Sequence, residues 1–134
     1  MLPKLESYNE VTLLVARLFY SSLFILYGYF KLTAYAGTAT YMAGKGLVPG
    51  DLFAVLAIVF ELGGGLLMLV GYQTRCVALA LAIYTLIAAL IAHTHWADAN
   101  QLTHFFKNMA IIGGSLAFVA SGAGAYSLDW RRSA

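Results

Sequence analysis

The sequence predicts an all-α integral membrane protein, a bundle of four transmembrane helices. Hydrophobic residues make up 61% of the 134 residues and charged residues only 10%, whereas a soluble domain usually carries about 25% charged residues. The apolar residues form four runs of about 17 to 22 residues, and about 20 are needed to cross the hydrocarbon core of a bilayer. Short polar segments separate the runs, so we expect one compact membrane domain over residues 1–134.

The first membrane helix is predicted over residues 11–32. The apolar segment of a cleaved signal peptide has only about 7–15 residues, whereas this run is longer and contains Arg17 and Lys31. We therefore expect a retained membrane helix. At about 100° per residue, the spacing of the two cations brings Lys31 to within about 40° of Arg17 around the helix, so both can face one neighbour.

The second membrane helix is predicted over residues 52–70. Asp51 is the expected cap at its start, and Gly71 is expected to end it. The polar connection before it, residues 33–50, is rich in glycine and contains Lys45. Glycine-rich polar segments break helices, so we expect this connection to lie at the membrane surface.

The third and fourth membrane helices are predicted over residues 76–93 and 104–120. A tight link at residues 72–75 reverses the chain before the third helix, and a polar loop at residues 94–103 precedes the fourth. The tail around Trp130 is aromatic and basic, a composition typical of a membrane–water interface.

The basic residues of the connecting segments predict the orientation. With four spans, the N-terminus, the second link and the tail share one side of the membrane. That side carries Lys4, Arg75, Arg131 and Arg132, and the opposite side carries only Lys45. Because Lys and Arg are enriched in cytoplasmic loops, we expect both termini to be cytoplasmic.

Glu61 lies in the middle of the second apolar run and is followed by a run of glycines. An ionised carboxylate near the bilayer midplane costs at least about 2.5 kcal/mol unless another group compensates for it. Glycines remove side chains and let a second helix approach closely. The candidate helix-packing glycines are Gly63, Gly64, Gly65, Gly113 and Gly114.

Several polar side chains in the other helices are candidates to meet this carboxylate. By helical rise, Arg17 is expected about 5 Å from the level of Glu61, as its salt-bridge partner, and the others nearer the outer end. Three basic groups around one acid leave a positive interior, which favours a small anion or a polar quinone head group. A purely structural salt bridge and lysines that extend to the head groups are the alternative. The predicted pocket residues are Arg17, Lys31, Glu61, His93, Lys107 and Asn108.

Other chemistries are not indicated. The single Cys76 cannot form an internal disulfide, and a net charge of +2 without a basic run does not indicate nucleic-acid binding. His93, His95, Asp98 and His104 offer ligand types for Zn²⁺ or Cu²⁺, but their spacing matches no known set, so no metal site is predicted.

The sequence resembles the DoxX family of small bacterial inner-membrane proteins over nearly its whole length, through a set of short matching segments. These are Arg17, Gly28-Tyr29-Phe30-Lys31, Tyr35-Ala36-Gly37, Glu61-Leu62-Gly63-Gly64-Gly65, Gly71 with Thr74-Arg75, His93, Lys107-Asn108, and the segment 122–129. The resemblance implies a four-helix protein of the bacterial inner membrane. A related subunit of this kind belongs to a thiosulfate:quinone oxidoreductase, so the resemblance also implies, by analogy, a component of a redox complex.

Three functions remain open from the sequence. The first is a membrane component of a redox complex with partner proteins, holding a quinone or small anion in its pocket. The second is a small-molecule transporter, with Glu61 as the coupling carboxylate and several copies forming the path. The third is a membrane scaffold without a ligand. The sequence leaves open whether the protein is an enzyme.

Overall fold

A computed structural model describes residues 3–133 of the chain, with side chains from residue 8 onward, so the side chain of Lys4 lies outside the described residues. The regular secondary structure of residues 3–133 is entirely helical, which confirms the all-α prediction. The helices are α1 (Pro3–Thr33), α2 (Tyr35–Gly44), α3 (Gly50–Ile58), a π-helical segment (Val59–Gly63), α4 (Gly64–Val70), α5 (Thr74–Ala92), α6 (Ala99–Ser121) and α7 (Leu128–Ser133).

Four stretches of the described chain are long and apolar enough to cross a membrane, as predicted. They are Tyr8–Thr33, Gly50–Val70, Thr74–Ala92 and Ala99–Ser121. The second of these, Gly50–Val70, combines α3, the π-helical segment and α4 and is called the second span below. Since α1 carries the first span, the four spans match the four apolar runs of the sequence in order.

The helix starts differ from the prediction: α1 begins at Pro3, eight residues before the predicted start, and α5 begins at Thr74, two residues before it. Helix α6 begins five residues earlier than the predicted residue 104, because the side chain of Asp98 caps it by accepting a hydrogen bond from the Asn100 backbone N–H at 2.9 Å. The expected cap of the second span is wrong: Pro49 is its N-cap residue, and Asp51 lies inside the first turn. An acid in that turn still interacts favourably with the helix dipole.

The end of the second span follows the prediction. Gly71 takes the left-handed conformation, with φ 67° and ψ 50°, and ends α4. Such a C-cap favours glycine because it has no Cβ. Gln73 also has a positive φ of 51°, and α5 begins at the next residue, so the chain reverses within three residues.

Helix α1 and the second span form an antiparallel pair in close contact. A Cβ added at Gly28 would lie 2.5 Å from the backbone nitrogen of Leu62, and one added at Gly65 would lie 3.0 Å from that of Ile25. The residue numbers at each contact add to 90, which defines the register of the pair. Bare backbone at these positions lets the two helices approach far closer than larger residues would allow.

The candidate packing glycines do not all serve this contact. Gly64 lies against Leu81 of α5, where an added Cβ would be 2.9 Å from the side chain, whereas Gly63 and Gly113 face open space within 4 Å. Gly114 has the Tyr20 ring at an ordinary 3.7 Å. Close approach is therefore built on Gly28, Gly64 and Gly65, and helix periodicity turns Gly63 and Gly113 outward.

Helices α5 and α6 form a second closely packed pair. This pair and the pair of α1 and the second span meet in a small core. Phe24, Met68, Leu81 and Phe118 are buried together, one from each span. The Tyr20 ring packs at 5.2 Å from Phe24 and 5.4 Å from Phe118. This core lies toward the end of the bundle that carries both chain termini, which we call the terminal end. The opposite end, with α2 and the α5–α6 loop, is called the loop end.

The C-terminal segment is fastened to the terminal end by charged side chains. The Asp129 carboxylate accepts hydrogen bonds from the backbone N–H groups of Gln73 at 2.7 Å and Thr74 at 2.8 Å. Arg75 donates to the carbonyl of Ala120 at 2.7 Å, at the last turn of α6. An acid thus meets a helix N-terminus and a cation meets a helix C-terminus, the favourable arrangement in both cases.

Candidate ligand site at the loop end

Glu61 is the centre of a polar cluster within the bundle. Lys31 donates to both of its carboxylate oxygens, at 2.7 Å and 3.0 Å, and the Tyr84 hydroxyl donates to one of them at 2.7 Å. Glu61 is only 8% exposed. Because a buried carboxylate is costly unless it is paired and hydrogen-bonded, this pair and the tyrosine together account for how the second span accommodates an acid.

The local backbone around Glu61 is unusual. The segment Val59–Gly63 is π-helical, with Glu61 at its centre, between α-helical stretches on both sides. A π-helical turn inserts a residue into an α-helix, rotates the following side chains, and occurs most often at functional sites. Here it directs Glu61 inward and still leaves Gly64 and Gly65 facing their helix neighbours.

Tyr84 was not among the predicted site residues. It lies on α5, and its ring stacks on Phe60 of the second span, with 5.5 Å between centroids and 4° between planes. The stacked pair holds the hydroxyl against Glu61. The sequence offered only a tyrosine in an apolar helix, which is also typical of plain packing, so no signal distinguished it.

Arg17 is the one predicted site residue that lies elsewhere, and its expected salt bridge with Glu61 is wrong. Its guanidinium donates to the carbonyl of Tyr126 at 2.6 Å, beside Gly71 at the terminal end. In the observed register, the residue of α1 level with Glu61 is Tyr29, so Arg17 lies about 18 Å away along the helix axis. The predicted depth was wrong because it aligned the cytoplasmic ends of the two apolar runs, the start of the first with the end of the second, whereas the glycine contacts set a different register.

A cavity of about 670 Å³ lies beside the Glu61 cluster, toward the loop end. Drug-sized ligands occupy pockets of about 300–1,000 Å³. All four spans contribute to its wall, together with α2 and the segment that follows it. Five of the predicted site residues line it: Lys31, Glu61, His93, Lys107 and Asn108.

Two lysines lie close to one aromatic ring at the polar part of this cavity. The ammonium groups of Lys31 and Lys107 are 5.6 Å and 5.7 Å from the centroid of the Tyr27 ring. Both distances are within the range of a cation–π interaction. The π-face of one tyrosine therefore stabilises two cations contributed by α1 and α6.

The charges of the two lysines are balanced differently. Lys31 is neutralised by Glu61, which forms the only salt bridge among residues 8–133. Lys107 has no carboxylate within 4.0 Å in that part of the chain, and its ammonium lies 3.3 Å from Nδ1 of His104. Lys45, after α2, also lines the cavity, and its ammonium lies 5.6 Å from the centroid of the Tyr41 ring, without a carboxylate partner among residues 8–133. The excess positive charge of the cavity wall is therefore carried by Lys107 and Lys45.

The histidines form a stacked pair at the rim. The rings of His93 and His104 are 5.0 Å apart between centroids, and Nδ1 of His93 lies 2.9 Å from Oε1 of Gln101. In the described residues no three His, Cys, Asp or Glu side chains come together in a way that would hold a metal ion. The arrangement supplies hydrogen-bonding groups at the rim of the cavity.

Further polar groups are available on the cavity wall. Thr85 is 5% exposed, and its hydroxyl has no hydrogen-bond partner in the described structure. The amide of Asn108 also lies on the wall, one residue after Lys107. Unpaired buried polar groups are rare in native proteins and each calls for an explanation. The Thr85 hydroxyl is enclosed by the protein, so the Asn108 amide is the group of this pair that a ligand with carbonyl or anionic oxygens would contact.

The fold and this site define a class of protein: a multi-pass membrane protein, with a charged and hydrogen-bonded cluster beside a largely apolar cavity inside a four-helix bundle. Such a cluster inside a membrane domain marks a functional site more often than ordinary packing does.

The chain belongs to the DoxX family, whose family model matches residues 12–94. Inner membrane protein YqjF of Escherichia coli K12 is 42% identical over 125 residues, covering 93% of this chain and 95% of YqjF. Inner membrane protein YphA of the same organism is 36% identical over 128 residues, covering 92% of this chain and 91% of YphA. These relationships, with the four spans, identify the protein as a multi-pass inner membrane protein.

A more distant relative is an uncharacterized protein of Haemophilus influenzae Rd, 33% identical over 134 residues and covering 93% of each chain. No solved structure matches the chain. The family match covers the first three spans, which carry Lys31, Glu61 and Tyr84, and ends before α6. The Lys107 and Asn108 part of the cavity therefore lies outside the residues that the family model matches.

Proposed function

We propose that this protein binds the head group of a quinone in the loop-end cavity, as the membrane component of a redox complex. The observation that carries the proposal is the cavity itself: about 670 Å³, largely apolar, and with two uncompensated cations, Lys107 and Lys45, on its wall. Ligand sites are typically apolar cavities with a few polar groups that orient the ligand. A quinone has a flat apolar ring with carbonyl oxygens at its edge, which matches this combination.

The wall residues fit such a ring. The Lys107 ammonium and the Asn108 amide both line the cavity and can donate hydrogen bonds to the carbonyl oxygens of the ring. The rings of Tyr27 and Phe60 also line the cavity and offer flat apolar surfaces for stacking. A bound quinone supplies two-electron acceptor chemistry, and redox partner proteins would supply the electrons.

The Lys31–Glu61–Tyr84 cluster would hold the site in shape. Its three groups come from α1, the second span and α5, so it ties these helices together at the depth of the cavity. With Lys31 neutralised by Glu61, the excess charge that attracts a carbonyl or anionic oxygen belongs to Lys107 on α6 and to Lys45 after α2. By the positive-inside rule the loop end would face the periplasm.

Binding of a benzoquinone to protein in lipid nanodiscs, measured by quenching of intrinsic fluorescence, tests the proposal. We expect Lys107→Gln to weaken binding by about tenfold, or about 1.4 kcal/mol, because a charge-assisted hydrogen bond is lost. Lys107→Arg should retain most of the affinity. The matched control is Arg131→Gln, which removes a cation of α7 outside the cavity. Binding that is absent in the parent, or equal in Lys107→Gln and the control, would contradict it.

A transporter is the second candidate, and Glu61 is the observation that favours it. A nearly buried carboxylate beside a cavity is the kind of group that couples proton movement to substrate movement in membrane proteins. Reconstituted liposomes would then show proton-coupled flux that Glu61→Gln abolishes. If neither quinone binding nor flux is observed, the remaining hypothesis is a membrane scaffold without a ligand.

A further inference from the structure

The cavity has two openings of different chemistry. Tight packing joins α1 to the second span, and α5 to α6. Helix α5 packs on α4 and contacts the π-helical segment, but Gly50–Ile58 is not among its main packing partners. The two pairs of helices therefore meet near the terminal end and separate toward the loop end, which leaves an opening between the pairs on either side.

The opening between α1 and α6 is polar. Lys31 and Tyr27 of α1 face it, as do Lys107 and Asn108 of α6. Both cation–π contacts of the Tyr27 ring, with Lys31 and with Lys107, lie on this side of the cavity. A charged or carbonyl-bearing group would be held on this side.

The opening between the second span and α5 is apolar. Ile83, Ile87 and Ile91 of α5 line the cavity and are also exposed, at 54%, 53% and 37%. Their spacing of four residues places them on one face of the helix. Leu56 and Phe60 of the second span line the cavity and are exposed in the same way. Side chains that are both cavity wall and outer surface mark a passage to the surrounding lipid.

The volume also exceeds what a small polar ligand needs. At about 30 Å³ for each water molecule of liquid, a cavity of about 670 Å³ corresponds to roughly twenty waters. A sulfate-sized anion or an isolated ring at the polar side would leave most of the aliphatic wall without a partner. A hydrocarbon chain would fill that space at little cost, because lipid tails and aliphatic side chains are equally apolar.

We infer that the ligand is an amphiphile dissolved in the bilayer, which enters sideways and lies with its head on the α1–α6 side and its hydrocarbon tail in the apolar opening between the second span and α5. This inference rests on the proposed function and specifies its substrate class: a tailed, membrane-borne quinone in place of a water-soluble anion. The opening that would hold the hydrocarbon tail faces the membrane leaflet on the side of the loop end.

A photoreactive probe tests the inference in nanodiscs. The probe is a benzoquinone with a ten-carbon alkyl chain and a diazirine at the chain end, and mass spectrometry locates the labelled residues. We expect labels within residues 83–91 or 56–60. Ile87→Trp places a large ring in the apolar opening and should lower labelling there by about tenfold, because it sterically excludes the chain. Leu90→Trp, on an exposed face of α5 outside the cavity wall, should leave labelling within about twofold.

The same benzoquinone without a chain separates the two proposals. If the tailless ring binds in a Lys107-dependent way, while the chain end labels neither segment or Ile87→Trp has no more effect than Leu90→Trp, the sideways-entry inference is wrong and the quinone site stands. If neither compound binds, the proposed function fails and the inference fails with it. If the chain end labels α5, and Ile87→Trp lowers this labelling but Leu90→Trp does not, the result supports both the quinone site and sideways entry.

Discussion

At the scale of single residues, the site depends on how one acid is compensated inside a membrane domain. Glu61 receives two hydrogen bonds from Lys31 and one from Tyr84. The pair is not sealed off, since the side chain of Lys31 remains 25% exposed and that of Glu61 11%. Solvent screens the attraction within a partly exposed pair, but removing one partner still leaves the other charge poorly compensated.

Glu61→Gln should lower stability by about 1–3 kcal/mol, because it leaves Lys31 without a counterion in a site of low polarity. The double variant Glu61→Gln with Lys31→Met should recover part of that loss, since no unpaired charge remains. Thermal unfolding in detergent of the parent, both single variants and the double variant gives the coupling energy by a double-mutant cycle. Strictly additive effects of the two substitutions would show that the ion pair does not stabilise the bundle.

At the scale of elements, bare backbone at a few glycines decides how the helices fit together. The contact of Gly28 with Leu62 fixes the register of α1 against the second span. This register brings Lys31 to the level of Glu61 and moves Arg17 to the terminal end. Helix register thus determines which cation meets the acid.

Gly28→Ala should destabilise the protein by about 1–3 kcal/mol, because its Cβ would overlap backbone that cannot move independently. An added Cβ at Gly28 lies 2.5 Å from the nitrogen and 2.9 Å from the Cα of Leu62. Gly63→Ala is the matched control, as nothing lies within 4 Å of its Cβ position in the same region. The midpoint of thermal unfolding should fall for the first variant and stay the same or rise for the second. Equal shifts would contradict the proposed register.

The tail provides a second prediction at this scale. Burial raises the pKa of the Asp129 carboxyl, but hydrogen bonds from the backbone of Thr74 and Gln73 and the charge of Arg132 outweigh that effect and hold the pKa below its ordinary value. A group with a lowered pKa in the folded state stabilises above its unfolded pKa of about 3.9 and loses that contribution as the pH falls through the folded pKa. The attachment of α7 should therefore weaken only below about pH 4.

Asp129→Asn should loosen α7 at neutral pH as well, because an amide makes a weaker cap than a carboxylate at the start of α5. Limited proteolysis of the tail between pH 3 and pH 7 measures this. The parent should become sensitive only at the acid end, and the variant should be sensitive throughout. Ser133→Ala is the control, since its hydroxyl bonds only within α7. The same pH profile in parent and Asp129→Asn would contradict the assigned cap.

At the scale of the whole molecule, two tightly packed helical pairs meet near the terminal end and separate toward the loop end. The small shared core of Phe24, Met68, Leu81 and Phe118 holds the pairs together. The polar cluster and the cavity occupy the space where they separate. Since some side chains of the cavity wall are also exposed on the outer surface, the bilayer itself is the source that we propose for the ligand.

The orientation of the bundle is a prediction at this scale. With both termini cytoplasmic, Lys45 would face the periplasm and Arg131 the cytoplasm. In a Cys76→Ser background, a membrane-impermeant maleimide applied to intact cells should label a cysteine at Lys45→Cys but not at Arg131→Cys. Both positions should be labelled after the membrane is permeabilised. Labelling of Arg131→Cys but not of Lys45→Cys in intact cells would show that the orientation is the reverse of the predicted one.

The sequence by itself determined the four spans, the end of the second span at Gly71 and the presence of an acid within the membrane domain, because hydrophobic runs and left-handed glycine caps are local properties. It also contained the residues that line the cavity. Only the tertiary structure decided that Lys31 and not Arg17 meets Glu61, that Tyr84 completes the cluster, and that the helices separate at the loop end. These outcomes depend on helix register, which is set by contacts between residues distant in the chain, where a shift of one turn moves a side chain by about 5.4 Å.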